Sequence, residues 1–175
     1  IIYRITVLSV ESIVVYGVLV NILGVFNPVL SFLNNYALKD FRAQNLKTEK
    51  LNIYKINVIR YLIVLSSIIV ILYYTFTPLC RYFYHQNYKD YSELFLILSI
   101  SLVFTAIGQL NSRLLTLFSQ RRVVFDTSIC SLIAVLSSLV FVKGDWTTHF
   151  MVYFVISRIA GWSWSQYKVL QLENG

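Results

Sequence analysis

Two charged residues stand where charge is costly. Arg158 lies halfway or further along an apolar segment, with Ser157, Gly161 and Ser165 forming a small-residue face beside it. A guanidinium withdrawn from water offers a rigid fork of donors, which suits capture of a phosphate or carboxylate through two parallel hydrogen bonds. The competing reading is a side chain that snorkels along its apolar stem to the membrane surface, or that pairs with an acid on another helix. Glu11 lies about six residues into the first apolar segment, roughly 9 Å along a helix at 1.5 Å per residue. Charged groups at such depth mark ion or substrate pathways, so Glu11 is a candidate for ion coupling. Its other reading is a carboxylate that reaches the outer headgroups or pairs with Arg4.

The remaining polar residues do not assemble into a reaction centre. No Ser/His/Asp set, paired carboxylates, glycine-rich phosphate loop or Walker-type lysine is present. Cys80 and Cys130 are far apart and without metal-type spacing, which makes them inert thiols and leaves neither a metal nor a cofactor to expect. His85, His149, Gln109 and Asn111 are single polar groups, explained by interhelical hydrogen bonds or interface positions. Arg122 and Asp126 are four residues apart, so a local ion pair of a few tenths of a kcal/mol is expected. An enzyme is not the expected class.

These residues must be positioned by apolar elements, because 57% of the 175 residues are hydrophobic, 13% are charged and mean hydropathy is +0.66. That is too oily for a soluble domain. A spanning helix needs about 20 apolar residues, and five segments qualify, at about 5–32, 58–79, 91–115, 123–142 and 146–167. The fold class is therefore an all-α polytopic membrane helix bundle of five transmembrane helices, forming a single transmembrane domain over 1–175. The first segment is interrupted by Gly24 and by Asn27-Pro28, which predicts a kink or helix end near Pro28, Pro78 closes the second span, and 34–57 reads as a polar loop with an interfacial helix on its near end.

The third and fourth segments each carry a stripe of small residues. Ser101, Thr105, Gly108 and Ser112 have the offsets 0, 4, 7 and 11, which Thr127, Ser131, Ala134 and Ser138 repeat. Such spacing puts four residues on one helical face, the arrangement by which helices pack closely in lipid.

The net charge of +7 is distributed between apolar segments and not in a patch suited to nucleic acid. Topology accounts for it. One side of an alternating path collects Lys39, Arg42, Lys47, Lys50, Lys55, Arg60, Arg113, Arg121, Arg122 and Lys168, whereas the other collects Arg4, Arg81, Lys89 and Lys143. The positive-inside bias places the 34–57 loop, the basic turn at 113–122 and the C-terminus in the cytoplasm and the first residue outside. The first apolar run is too long for a secretory signal and lacks its cleavage site; with no initiator Met, it is expected to belong to a longer protein.

The order of features resembles a family. Asn27-Pro28 precedes a basic loop, and Pro78 is followed by the Tyr-rich Arg81-Tyr-Phe-Tyr-His-Gln-Asn-Tyr-Lys-Asp-Tyr91. A span then ends in Asn111-Ser-Arg-Leu-Leu115, the short turn Ser119-Gln-Arg-Arg122 follows, and the next span closes at Lys143-Gly-Asp145. This rhythm resembles the C-terminal portion of the polysaccharide and O-antigen flippases of the multidrug/oligosaccharidyl-lipid/polysaccharide exporter superfamily, which are built from two similar helical bundles. The resemblance implies a multi-pass protein of the bacterial inner (cytoplasmic) membrane that flips a lipid-linked oligosaccharide repeat unit by alternating access. It also implies an undecaprenyl-diphosphate glycan as substrate, surrounding membrane lipids, and a polysaccharide polymerase as a further partner. Arg158 and Arg113 are the candidate substrate-binding cations within that frame. Two rivals remain: an ion-coupled drug or solute exporter of the same superfamily using Glu11, and a non-transport membrane assembly protein using the stripes only for contact.

Overall fold

The computed structural model describes residues 10–24, 26–84, 92–118, 122–141 and 146–174, leaving out the side chains of 10–16, 84, 94, 124, 138–141 and 146–151. Its elements are all helices: α1 (Val10–Leu23), α2 (Phe26–Arg42), α3 (Lys47–Tyr84), α4 (Ser92–Leu117), α5 (Arg122–Phe141) and α6 (Trp146–Asn174). The stretches Gly17–Arg42, Lys47–Phe83 and Phe95–Leu117 are long and apolar enough to cross a membrane, and Phe125–Ser137 is a shorter apolar helix. The protein is an all-α bundle with membrane-spanning character.

The first expected span is broken at Gly24, one of its two expected interruptions, and the next helix starts at Phe26, two residues before Pro28. The Gly24 amide closes α1 by donating to the Val20 and Asn21 carbonyls at 2.9 and 3.1 Å, and a Cβ at Gly24 would lie 2.9 Å from the Asn21 oxygen. Pro28 instead sits in the first turn of α2, where its missing N–H has no intrahelical acceptor to satisfy. Most of the loop expected over 34–57 is helical as well, since α2 continues to Arg42 and α3 starts at Lys47. The reason is amphipathicity: Phe26, Leu30, Leu33, Asn34, Ala37 and Phe41 bury one stripe of α2 while charged residues occupy the others.

Helix α3 has 38 residues, about 57 Å at 1.5 Å per residue, so it outreaches a hydrocarbon layer of about 30 Å. Pro78 lies inside it without ending it. On the buried side of that turn, Phe76 stacks on Phe95 of α4 with centroids 4.6 Å apart. Tyr61, Leu65, Phe76, Phe95, Leu98, Leu110 and Leu114 join the buried face of α2 in one core.

Helix α6 is the element that unites the bundle. It packs against both α4 and α5, which touch each other little despite the short turn joining them. The helix is also longer than its expected span, ending at Asn174, and its last turns meet the first turns of α3. There Lys55 pairs with Glu173, Lys50 lies over the Phe118 ring at 5.6 Å and Arg60 bonds Asp40 at 3.1 Å. The end of α2, the start of α3, the end of α4 and the end of α6 therefore share one basic end of the bundle.

Candidate functional site

Gly108 of the α4 stripe and Thr127 and Ser131 of the α5 stripe face α6. At Gly108, an added Cβ would sit 3.7 Å from the Trp162 Cα and 3.9 Å from Ser165 Oγ; at Gly161, it would come within 2.8 Å of Ser131 Oγ and 3.3 Å of Thr127 Cγ2. The second contact is tight enough that only glycine fits without displacement. Ser131 also donates to the Ser157 carbonyl at 2.9 Å, sharing its proton with the Thr127 carbonyl at 3.0 Å. Close backbone approach and a hydroxyl across the contact are what helices use to associate where water supplies no driving force.

Inserting α6 between α4 and α5 keeps those two helices apart, and the gap is a cavity of about 910 Å³. Its walls are polar although the outer surface is oily. Ser31, Asn34 and Asn35 line it from α2; Phe104, Thr105, Gly108, Gln109, Ser112, Arg113 and Thr116 from α4; Thr127, Ser128 and Ser131 from α5; and Ser157, Arg158, Gly161 and Trp162 from α6. Outside, Phe125, Leu132, Ile133 and Leu136 of α5 and Ile63, Ile71 and Tyr74 of α3 are exposed. The polar cleft is open, since Ser31, Asn35, Gln109, Arg113, Thr116 and Ser128 are exposed, and an open polar cleft in an otherwise apolar exterior is suited to lipid surroundings and a hydrophilic guest.

Both cations singled out in the sequence line this one cavity. Arg158 is half-buried, with its guanidinium carbon 4.7 Å from the centroid of the Phe154 ring, a cation–π contact that orients the fork. It lies 12 residues into α6, about 18 Å along the axis. Arg113 is exposed near the basic end of α4, so the cavity extends from that end into the depth of the bundle.

Most wall hydroxyls spend their protons on their own helix. Thr105 donates to Ser101 O, Ser112 to Gly108 O, Thr116 to Ser112 O, Thr127 to Val123 O and Ser157 to Phe154 O, at 2.6–3.2 Å. Their oxygens remain acceptors, whereas the guanidiniums are obligate donors. The cavity thus pairs cationic donors for anionic oxygens with hydroxyl acceptors for groups that carry O–H or N–H.

The polar singles Gln109 and Asn111 make interhelical bonds. Asn34 Nδ2 donates to Gln109 Oε1 at 2.7 Å and Tyr61 donates to Asn34 Oδ1 at 2.9 Å, linking α3, α2 and α4. Nearer the basic end, Tyr54 donates to Asn111 Oδ1 at 2.7 Å, while Asn111 Nδ2 donates to Ser165 Oγ and Gln166 Oε1 at 3.0 and 3.1 Å. The Tyr54 oxygen is also 3.1 Å from Gln166 Oε1. One hydroxyl has one proton, and the shorter distance assigns it to Asn111.

The sequence missed Asn34 as a wall residue because 34–57 read as loop. Its place in the Leu30, Leu33, Ala37 and Phe41 spacing of α2 is the signal that finds it. Trp162, which rests against Phe104 with centroids 5.1 Å apart, was hidden in an apolar segment that read as a span. Arg122 reaches Asp126 at 3.9 Å with its own side chain largely in solvent, a weak exposed pair. Cys80 is buried and Cys130 half-buried. Glu11 belongs to α1, with its side chain outside the described residues, as are those of Ser138 and His149; Arg4, His85, Lys89, Arg121 and the Lys143–Asp145 turn also lie outside them. The chain matches no family model, no curated protein and no solved structure.

Proposed function

We propose that this chain forms one bundle of a membrane transporter that moves the head group of a lipid-linked oligosaccharide across the bilayer by alternating access, as in the polysaccharide and O-antigen flippases that it resembles. The observation that carries this reading is the cavity of about 910 Å³ that holds Arg113, Arg158 and a wall of hydroxyl acceptors together. A diphosphate needs positive charge and forked donors when it leaves water, and a glycan needs many hydroxyl partners. The cavity supplies both, and the apolar exterior leaves the lipid tail in hydrocarbon. The basic end faces the cytoplasm in this reading, where the positive-inside bias puts it, and all five apolar segments cross the bilayer.

The test is translocation of a polyprenyl-diphosphate oligosaccharide in proteoliposomes containing the complete protein. Wild type moves the glycan lipid and Arg158→Gln slows it by at least about tenfold, the scale of one lost charge-assisted bond pair. Unchanged flux in Arg158→Gln and Arg113→Gln together would refute the assignment.

A further inference from the structure

The two guanidiniums account for the anionic part of a guest, but not for what reads the neutral part beside it. Gln109 lines the cavity, and its amide is held in one direction. The chain of constraint begins at Tyr61, which is 1% exposed and donates to Asn34 Oδ1 at 2.9 Å. Were the Asn34 amide reversed, the buried Tyr61 hydroxyl would face two donors and lose the acceptor for its proton, so Oδ1 must face Tyr61. Asn34 Nδ2 then donates to Gln109 Oε1 at 2.7 Å. With its oxygen engaged, Gln109 has its Nε2 donors left for the cavity. Gln109 is itself exposed, and it is the Asn34 bond to its oxygen that turns the nitrogen toward a guest.

The same cavity holds the Phe104 and Trp162 rings, 5.1 Å apart and inclined at 58°. An aromatic face beside a directed amide complements a pyranose, which has an apolar C–H face and a rim of acceptor oxygens. Along α4 the order is Phe104, Gln109, Arg113, and along α6 Arg158 stands one turn before Trp162, so the rings and the amide lie between the two cations.

We infer that Gln109, oriented by Tyr61 through Asn34, and the Phe104–Trp162 pair form the subsite for the sugar next to the diphosphate, with Gln109 Nε2 donating to a sugar oxygen. This rests on the transport reading above. Gln109 touches the guest, whereas Asn34 and Tyr61 are positioning residues. The acceptor is either a ring hydroxyl oxygen or the carbonyl oxygen of an N-acyl group, both neutral oxygens that accept from an amide.

The test measures binding to the complete protein in nanodiscs with three probes: a polyprenyl diphosphate, the same lipid bearing one hexose, and the same lipid bearing one N-acetylhexosamine. Gln109→Met should weaken the sugar-bearing lipids about three- to tenfold, the range for a neutral hydrogen bond, and leave the bare diphosphate within about twofold. Loss on both sugar lipids identifies a hydroxyl acceptor, and loss on the N-acetylhexosamine lipid alone identifies the acyl carbonyl. Tyr61→Phe keeps the buried ring but frees the Asn34 amide to turn, so it should reproduce the same selective loss at smaller size; it also serves if Gln109→Met does not fold. Equal weakening of all three probes, or of none, overturns the sugar subsite. Arg158→Gln separates this from the transport reading, because it should weaken the bare diphosphate as much as the glycosylated lipids; no change there sinks the transport reading, whatever Gln109 does.

Discussion

Ser131 of α5 donates to the Ser157 carbonyl of α6 at 2.9 Å, one turn before Gly161, where a methyl group would meet the same hydroxyl oxygen at 2.8 Å. The hydrogen bond and the glycine form one contact, since the hydroxyl reaches α6 only because Gly161 has no side chain. As α5 leans chiefly on α6, this contact sets the width of the cavity. Gly161→Ala should destabilise the protein by about 1–3 kcal/mol through overpacking, read as a fall in the thermal midpoint in detergent. Adding Ser131→Ala should recover part of that loss, whereas purely additive effects of the two changes would mean that the contact is not shared.

The Asn111 cluster should matter more to stability than any ion pair nearby. Asn111 is fully buried and bonds Tyr54, Ser165 and Gln166, so Asn111→Leu removes three hydrogen bonds and should cost about 2–4 kcal/mol at roughly 0.5–1.5 kcal/mol for each bond. Tyr54→Phe leaves fewer of them unmade and should cost less. Lys55 and Glu173 join two of the same three helices, but their side chains are 57% and 35% exposed, so Lys55→Ala should change stability by no more than about 0.5 kcal/mol. Thermal midpoints of the three variants would decide it, and a Lys55→Ala loss matching that of Asn111→Leu would reverse this ranking.

Arg158 gives a test of charge against geometry. If the guanidinium fork matters, Arg158→Lys should transport glycan lipid at a rate between wild type and Arg158→Gln, because a lysine keeps the charge but loses the two parallel bonds. Phe154→Leu removes the ring that lies 4.7 Å from the guanidinium carbon and should lower flux about two- to fivefold, from roughly 0.5–1 kcal/mol of cation–π contact. Equal rates for Arg158→Lys and wild type in the proteoliposome assay would reduce the residue to a point charge.

How much of this was legible in the chain follows from which forces are local. Helix content and apolar segments come from composition and periodicity, and the stripes on α4 and α5 were visible because small residues at offsets of three and four need no tertiary context. The partner of those stripes was not visible, since nothing local to Thr105 or Ser131 says that α6 will lie between their helices. Gly161 and its neighbours Ser157 and Ser165 held the complementary spacing, but its meaning depended on the other two helices. Prolines show a related effect: a helix boundary falls two residues before Pro28, whereas α3 runs on through Pro78, where a helix end was expected. A proline ends a helix only where the lost donor cannot be spared, and a first turn spares it at Pro28. At 34–57, polar residues looked like loop because charge was counted along the chain and not around the helix, where Leu30, Leu33, Ala37 and Phe41 show a buried stripe.

Alternating access requires a site that two bodies enclose in turn, so that one side closes before the other opens. Here the cavity walls come from α2, α4, α5 and α6, all within one bundle. The outer face of α5 presents Phe125, Leu132, Ile133 and Leu136, an apolar surface that neither binds a polar guest nor seals the cavity against it. On the transport reading proposed above, a single such bundle binds a head group without switching its exposure. Vesicles containing only residues 1–175 should therefore show no glycan-lipid translocation, while the same polypeptide in nanodiscs retains Arg158-dependent binding of a polyprenyl diphosphate. Translocation by the isolated polypeptide would mean that the helices described here already contain both gates.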